Sequence, residues 1–229
     1  MADSSDGERH ATRRERRMRV LIVDDHPLVR EGLQARIDDQ PDMEVCGTAA
    51  DAQEALRLAK SGRPQIAIVD LTLRSGDGLE LIKRLRSESS TLKILVVSAH
   101  DELMFAERAL RAGAHGYLNK QELQGTLLEA LRTVRDDKLF ITPAVAQRLA
   151  GLAVTGRITG QGMDVLSDRE LEVFRLIGEG GTTRSIAERL HVSPHTVESH
   201  RERIRHKLHI ASSAELVRHA LHWVLENTR

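Results

Sequence analysis

The sequence predicts an α/β, doubly wound five-stranded parallel sheet followed by a small all-α domain built around a helix-turn-helix. Two observations carry this expectation. Through the first 135 residues, short apolar runs alternate with stretches of helical periodicity, the pattern of βα units whose right-handed crossovers build a parallel sheet. After Ser167 strands cease and helix start signals follow one another. The segment GLAVTGRITGQGMD, rich in glycine and small residues, lies between the two regimes and reads as a linker.

The opening MADSSDGERHATRRERR, residues 1 to 17, is polar with a late basic cluster and is expected to be a disordered tail. Five strands follow: Val20 to Val23, Met43 to Cys46, Ile66 to Val69, Ile94 to Val97 and Gly116 to Leu118. Several are apolar throughout, which suits burial on both faces. Helices are expected at Leu28 to Asp38, Ala52 to Lys60, Leu79 to Ser87, Leu103 to Ala112 and Glu122 to Val134. Spacings such as Leu81, Ile82 and Leu85 keep one apolar stripe toward the sheet. This domain spans residues 18 to 136 and the linker 137 to 164, with room for a short helix over Pro143 to Leu149. The C-terminal domain, 165 to 229, is given four helices, at 168 to 178, 183 to 190, 194 to 208 and 213 to 226. Ser167 with Glu170 and Ser212 with Glu215 fit capping boxes, and Ser193 before Pro194 fits an N-cap with proline at the first helical position.

The chain has 229 residues, 40% apolar and 30% charged, with zero formal net charge. That excludes a wholesale polycation and fits two small foldable domains better than one. No stretch reaches the roughly eighteen consecutive apolar residues that a bilayer span requires, and the apolar run after the basic cluster is too short for a signal peptide, so a cytoplasmic protein without membrane contact is expected. One cysteine, Cys46, excludes an internal disulfide and a cysteine zinc cluster and reads as a small core residue. His191, His195, His200, His206 and His209 cluster in the helical half, and a zinc site there is not expected.

In an open parallel sheet, ligands collect beyond the carboxyl ends of the strands, where strand order reverses. The first strand ends on the adjacent carboxylates Asp24 and Asp25, and the third on Asp70. If these strands are neighbours, three like charges converge, and such a cluster calls for a hard divalent cation bound through oxygen, with Mg²⁺ the natural candidate. The fourth strand ends at Ser98, and Asn119 and Lys120 follow the fifth. Acids, a hydroxyl and an ammonium at one edge suit an incoming phosphoryl group: a carboxylate attacks phosphorus while lysine and hydroxyl hold the product.

The stretches DDHPLVREGL from Asp24, VDLTL around Asp70, DGLELIKRLR from Asp77, VVSAH around Ser98 and GYLNK ending at Lys120 resemble the receiver domain of two-component response regulators, a flavodoxin-like fold. The resemblance covers about residues 18 to 136. It implies that Asp70 is the phospho-acceptor, that Asp24, Asp25 and Asp70 hold Mg²⁺ with the backbone carbonyl of Thr72, and that Ser98 and Lys120 contact the phosphoryl oxygens. It also implies that Tyr117 is a switch aromatic whose ring turns inward once Ser98 moves toward the phosphate. By structure alone Tyr117 is as well explained as a strand residue packing at the sheet edge. Thr72 occupies a position that influences phosphoryl lifetime in that family. The chain departs from the pattern at Arg74, where most receivers carry proline.

Further on, only HVSPHT separates the closing ERL of one helix from VESHRERIRHKL, the layout of a helix-turn-helix whose second helix enters the major groove. Val197, Ile204 and Leu208 form an apolar stripe there, and the charged residues face elsewhere. The run SDRELEVFRLIGEGGTTRSIAERLHVSPHTVESHRERIRHKL with AELVRHAL resembles the LuxR/NarL type of DNA-binding domain, and the whole chain resembles a NarL/FixJ-class response regulator. That resemblance places Glu198, Ser199, Glu202 and Arg205 toward base edges and Thr196, Arg201 and Lys207 nearer phosphate. Glutamates accept from cytosine and arginine pairs with guanine. Two glutamates on the reading face weaken non-specific attraction, so two copies are expected on double-stranded DNA. In the family the last helix, Ala214 to Leu225, pairs subunits; without that analogy Leu216, Val217, Leu221 and Val224 are equally well assigned to the domain core.

The expectation is a transcription regulator, not an enzyme, that takes a phosphoryl group on Asp70 from a sensor histidine kinase and then forms a homodimer on DNA. Three other readings stand beside it. One is a regulator of the same build that binds DNA without phosphorylation. Another is an aspartyl-phosphate hydrolase, for which Thr72 is a poor general acid. The last is a nucleotide-binding domain, which the absence of a glycine-rich loop after the first strand argues against.

Overall fold

The computed structural model describes residues 17–73, 76–100, 102–155, 163–190 and 192–227. Arg74, most of the expected N-terminal tail, much of the linker and His191 lie outside them. The chain divides into two compact units, Met1–Leu149 and Ala150–Arg229.

In the first unit, β1 (Met18–Val23), β2 (Met43–Ala49), β3 (Ile66–Val69), β4 (Lys93–Ser98) and β5 (Gly116–Asn119) form one sheet in the order β2-β1-β3-β4-β5. All neighbours are parallel. The order reverses between β1 and β3, the switch point at which such sheets collect ligands. The strands form because their apolar, largely β-branched residues are buried on both faces: Val20, Leu21, Ile22, Val23, Ile66, Ala67 and Val69 are all fully buried. Val20, Ile22, Ile68, Leu95, Val97 and Leu118 pack on Leu33 and Ile37 of α1 (Pro27–Asp38) and on Leu127, Leu131 and Val134 of α5 (Leu123–Arg135). Alternate residues point to the opposite face. The remaining helices α2 (Ala52–Gly62), α3 (Gly78–Glu88) and α4 (Glu102–Ala112) pack beside one another.

Local chemistry fixes the helix starts. Pro27 occupies the first turn of α1. The Asp51 and Asp77 side chains cap α2 and α3, accepting from Glu54 N and Leu79 N at 2.9 Å each, as short acidic caps do. Cys46 is half-buried on the edge strand, not a core residue, because β2 slips register against β1 after Val20 and skips it.

Two differences follow β5. Phe140 forms a parallel bridge with Gly116; Tyr117 N donates to Phe140 O at 2.8 Å and Phe140 N to His115 O at 3.0 Å. The expected short helix runs on as α6, Pro143–Thr155. Its sequence AVAQRLAGLAVT is dominated by alanine and leucine, whose helix propensity outweighs the single glycine.

The second unit contains α7 (Asp168–Gly178), α8 (Thr183–Arg189), α9 (Pro194–Lys207) and α10 (Ser213–Asn227). The Ser167–Glu170 capping box is present, a second joins Thr182 and Ser185, and Ser193 caps α9 ahead of Pro194. Ser212 accepts from Glu215 N at 3.2 Å, but the Glu215 carboxylate accepts from Ala211 N at 3.0 Å, one residue before the expected reciprocal donor. Helices α7 and α10 cross closely: a Cβ on Gly178 would lie 2.3 Å from Ala220 O, so only glycine fits.

Glu170 is, with Asp168, one of two buried acids among the described residues of this unit, each 3% exposed. It accepts from Ser167 N at 2.8 Å and holds Lys207 Nζ at 2.6 Å. Burial works against its charge, but the bonds from Lys207 and Ser167 outweigh it and hold the carboxyl below its ordinary value of 4.5. A depressed folded-state value means stability present at neutral pH and lost as acid titrates through it. Glu170→Gln is therefore expected to flatten the acid limb of the C-terminal domain's thermal stability below about pH 4.5 and to lower its melting temperature at pH 7. An unchanged acid limb in calorimetry would refute this.

Candidate functional site

Strand register builds the site. Val23 lies opposite Val69, and the ladder continues one residue further, with Asp70 N donating to Val23 O at 2.9 Å and Asp24 N to Ala49 O at 3.1 Å. Asp24 and Asp70 thus leave adjacent strands at one level, 2% exposed each, with Asp25 at 9%. On the far side Ser98 pairs with Asn119, so Lys120 emerges beside the same edge. Gly78 lets α3 approach the acceptor loop: a Cβ there would fall 2.5 Å from Leu71 Cα and 2.6 Å from Asp70 O.

Lys120 Nζ lies 2.6 Å from both Asp24 Oδ2 and Asp70 Oδ2. His26 Nδ1 lies 2.7 Å from Asp25 Oδ1 and 3.2 Å from Asp24 Oδ1, and His26 N donates to Asp24 Oδ1 at 2.8 Å. Burial pushes the Asp70 carboxyl up; Lys120 pulls against this and Asp24 adds to it, with a net rise. Burial works against the Lys120 ammonium, yet Asp70 and Asp24 outweigh it and raise its value. Two buried carboxylates, Asp24 and Asp70, thus share the Lys120 ammonium.

That imbalance tests the fit of a divalent cation. One atom from each of Asp24, Asp25, His26 and Asp70 lies within 4.8 Å of the others, and three carboxylates against Lys120 leave two negative charges. Hard oxygen donors with that deficit suit Mg²⁺.

The other sequence-derived residues meet at one point, His100. Tyr117, 1% exposed, donates its hydroxyl to His100 O at 3.1 Å. Its ring is thus buried. Fully buried Ser98 accepts from His100 N at 3.3 Å, Asn119 Nδ2 donates to His100 O at 3.3 Å, and Thr72 Oγ1 is joined to His100 Nε2 at 2.7 Å. Thr72 N in turn donates to Asp70 Oδ1 at 3.2 Å. The imidazole stacks on Phe105, centroids 4.5 Å apart. Sequence reasoning assigned no role to His26 or His100. Their only signals were adjacency to Asp25 and a place two residues past Ser98.

In the helical unit, Val197 and Ile204 of α9 are fully buried while Glu198 and Glu202 are exposed. Glu198 Oε1 accepts from Thr183 Oγ1 at 2.6 Å and lies 3.8 Å from Arg201 Nε; Arg205 pairs with Glu202 at 2.6 Å. Ser199 Oγ donates back to His195 O at 3.0 Å, and Thr196 is tied to the Ser193 cap, its N donating at 3.0 Å. The Lys207 ammonium is taken up by the buried Glu170 of α7. On α10, Leu216 is buried but Val217, Leu221 and Leu225 are 42, 47 and 61% exposed, so two of the four residues assignable to the core lie outside it.

Among the described residues no helix is long and apolar enough to cross a membrane. Residues 20–132 match the family described as the response regulator receiver domain, and 164–220 match the bacterial regulatory proteins of the luxR family. The chain is 37% identical over 210 residues to the oxygen regulatory protein NreC of Staphylococcus carnosus, covering 89% of this chain and 97% of that one. It resembles a crystal structure of a LuxR-family two-component response regulator from Aurantimonas sp. SI85-9A1, with TM-score 0.56, 36% identity and coverage of 60% of this chain and 99% of that one. It also resembles RcsB from Salmonella enterica serovar Typhimurium bound to the promoter rprA with a beryllofluoride phosphomimetic, with TM-score 0.56, 25% identity and coverage of 88% and 97%.

Proposed function

We propose, on the premise that the chain belongs to the response regulators that join a receiver domain to a LuxR-family DNA-binding domain, that Asp70 is the acceptor through which it is controlled. It is a phosphorylation-controlled, DNA-binding transcription regulator. The observation supporting Asp70 is its place at the switch point, 2% exposed, against a lysine ammonium and two further acids.

A sensor histidine kinase is the donor. A carboxylate oxygen of Asp70 attacks phosphorus, an O–P bond forms as the P–N bond of the phosphohistidine breaks, and the imidazole leaves with the electron pair. Asp24, Asp25, Asp70 and the Thr72 carbonyl would hold Mg²⁺, which when bound supplies positive charge opposite the transferring oxygens. Lys120, already 2.6 Å from Asp70 Oδ2, stabilises the phosphoryl oxygens, and the Ser98 hydroxyl donates to them. Turnover of a generic phosphate ester is not expected, because Thr72, two residues beyond the nucleophile, is a poor general acid.

Helix α9 enters the major groove, with Glu198, Ser199, Glu202 and Arg205 toward base edges and Thr196 and Arg201 toward phosphates. Lys207 reaches a phosphate only by leaving Glu170. Val217, Leu221 and Leu225, spaced four apart on α10, form an exposed apolar stripe that suits a second copy. Beryllofluoride with Mg²⁺ is expected to raise both operator affinity and dimer fraction in sedimentation; identical values with and without it would remove the switch. Leu221→Asp is expected to weaken operator binding at least tenfold, since charging a paired apolar face opposes dimerisation, with the monomer's melting temperature unchanged. Unaltered binding would exclude α10 as the pairing face.

A further inference from the structure

His100 links four residues of the proposed switch, yet no part of the phosphoryl chemistry needs it. Its backbone N–H donates to Ser98 Oγ, its carbonyl accepts from the Tyr117 hydroxyl and from Asn119 Nδ2, and its ring is joined to Thr72 Oγ1 at 2.7 Å. The ring is held from a second side by the stack on Phe105 of α4. His100 is 7% exposed and Tyr117 1%. The carbonyl that receives the tyrosine hydroxyl is therefore fixed in place by a side-chain bond to the loop that follows the acceptor, since Thr72 also donates its N–H to Asp70 Oδ1 at 3.2 Å.

We infer that His100 is a positioning residue: its bridge to Thr72 holds the loop after β4 where its carbonyl receives Tyr117, so that the unphosphorylated chain already populates the arrangement with the tyrosine inward. The inference rests on the phosphorylation switch proposed above and adds a resting bias to it. Phosphoryl transfer then completes a shift that the Thr72–His100 bridge has begun, and DNA binding has a basal level set by that bridge. A ligand or modification moves a two-state equilibrium only by its differential interaction with the two states. Here the bridge is an internal contribution of the same sign as the phosphoryl group. Loss of one partly buried hydrogen bond corresponds to about fivefold in the ratio of inward to outward forms.

Tyr117 is the chain's single tyrosine, so ¹³C-labelled tyrosine reports on this ring alone. The experiment follows its ring signal and operator affinity in the full-length chain, with and without beryllofluoride plus Mg²⁺, for the unmodified protein and for Thr72→Val, Thr72→Ser and His100→Phe. Valine keeps the shape of threonine without its hydroxyl, and phenylalanine keeps the stack on Phe105 without the ring nitrogen. In the absence of beryllofluoride, Thr72→Val and His100→Phe are expected to move the signal away from its beryllofluoride-saturated position and to lower basal operator affinity about fivefold. Combining them should add little, since both remove one bond. Thr72→Ser retains the hydroxyl and should shift the tyrosine signal less than Thr72→Val does. All four proteins should converge on one saturated signal, which also shows that the variants fold.

If the signals without beryllofluoride of Thr72→Val and His100→Phe coincide with that of the unmodified chain, His100 does not position Tyr117 and the inference is overturned. Additive effects of the two single variants, or a Thr72→Ser signal that follows valine, overturn it as well. A different failure belongs to the switch itself: an unmodified chain whose tyrosine signal ignores beryllofluoride and Mg²⁺ altogether.

Discussion

Asp70→Asn is expected to take up no base-labile phosphoryl label from a small phosphodonor with Mg²⁺, and to melt several degrees later than the unmodified chain in metal-free buffer. The two effects share one cause. Asparagine keeps the shape and the acceptor oxygen that Lys120 contacts, but it lacks the carboxylate that attacks phosphorus. It also removes one of three like charges at a position 2% exposed, where burial first and then Asp24 push the Asp70 carboxyl up. The charged form is thus held against its environment at neutral pH, and neutralising it should stabilise the fold. The pH dependence has a definite sign. A folded-state value raised above the unfolded one gives stability that is full in acid and falls away as pH rises through it. The unmodified receiver should therefore gain stability on mild acidification in metal-free buffer, and Asp70→Asn should lose that gain. A label on the Asp70→Asn chain, or an unchanged melting curve, would count against this assignment of the acceptor.

Lys120→Met is expected to have the opposite effect on stability. The ammonium lies 2.6 Å from both Asp24 and Asp70, with only 15% of its side chain exposed. Methionine fills its volume but leaves three buried carboxylates with no ammonium between them. Breaking a buried pair by removing one partner costs about 3 kcal/mol at the lower end of its range, the end appropriate to a side chain that keeps some solvent. Mg²⁺ should recover most of that loss, because a cation bound only by the folded state stabilises it by mass action. The measurement is the denaturant midpoint against Mg²⁺ concentration. A steeper metal dependence in Lys120→Met than in the unmodified chain is expected; parallel curves would mean that lysine and cation do not share the same charge deficit.

The residues that end strands were the legible part of this protein. Asp24, Asp25, Asp70, Ser98 and Lys120 could be placed because a buried apolar run fixes where a strand stops, and parallel topology fixes which ends face one crevice. What depends on side-chain direction was not legible. His26 folds back over Asp25, and His100 reaches across to Thr72, through rotamers that no spacing encodes. Lys207 reads as one more cation on a DNA-facing helix until α7 brings Glu170 beneath it. On α10, helical periodicity cannot separate Leu216, which is buried, from Leu221, which is 47% exposed, because both belong to one broad apolar arc. The extent of α6 was hidden because its last five residues, GLAVT, open a segment whose composition reads as a linker.

The pairing of Phe140 with β5 bears on where this protein can be cut. A fragment trimmed at Asp136 would strip the outer rim of the sheet of its cover, and the Tyr117 amide would lose its main-chain acceptor. Such a bare strand is a template for any passing chain. Fusion or truncation points for the first unit therefore belong beyond Thr142, after the polypeptide has sealed that border.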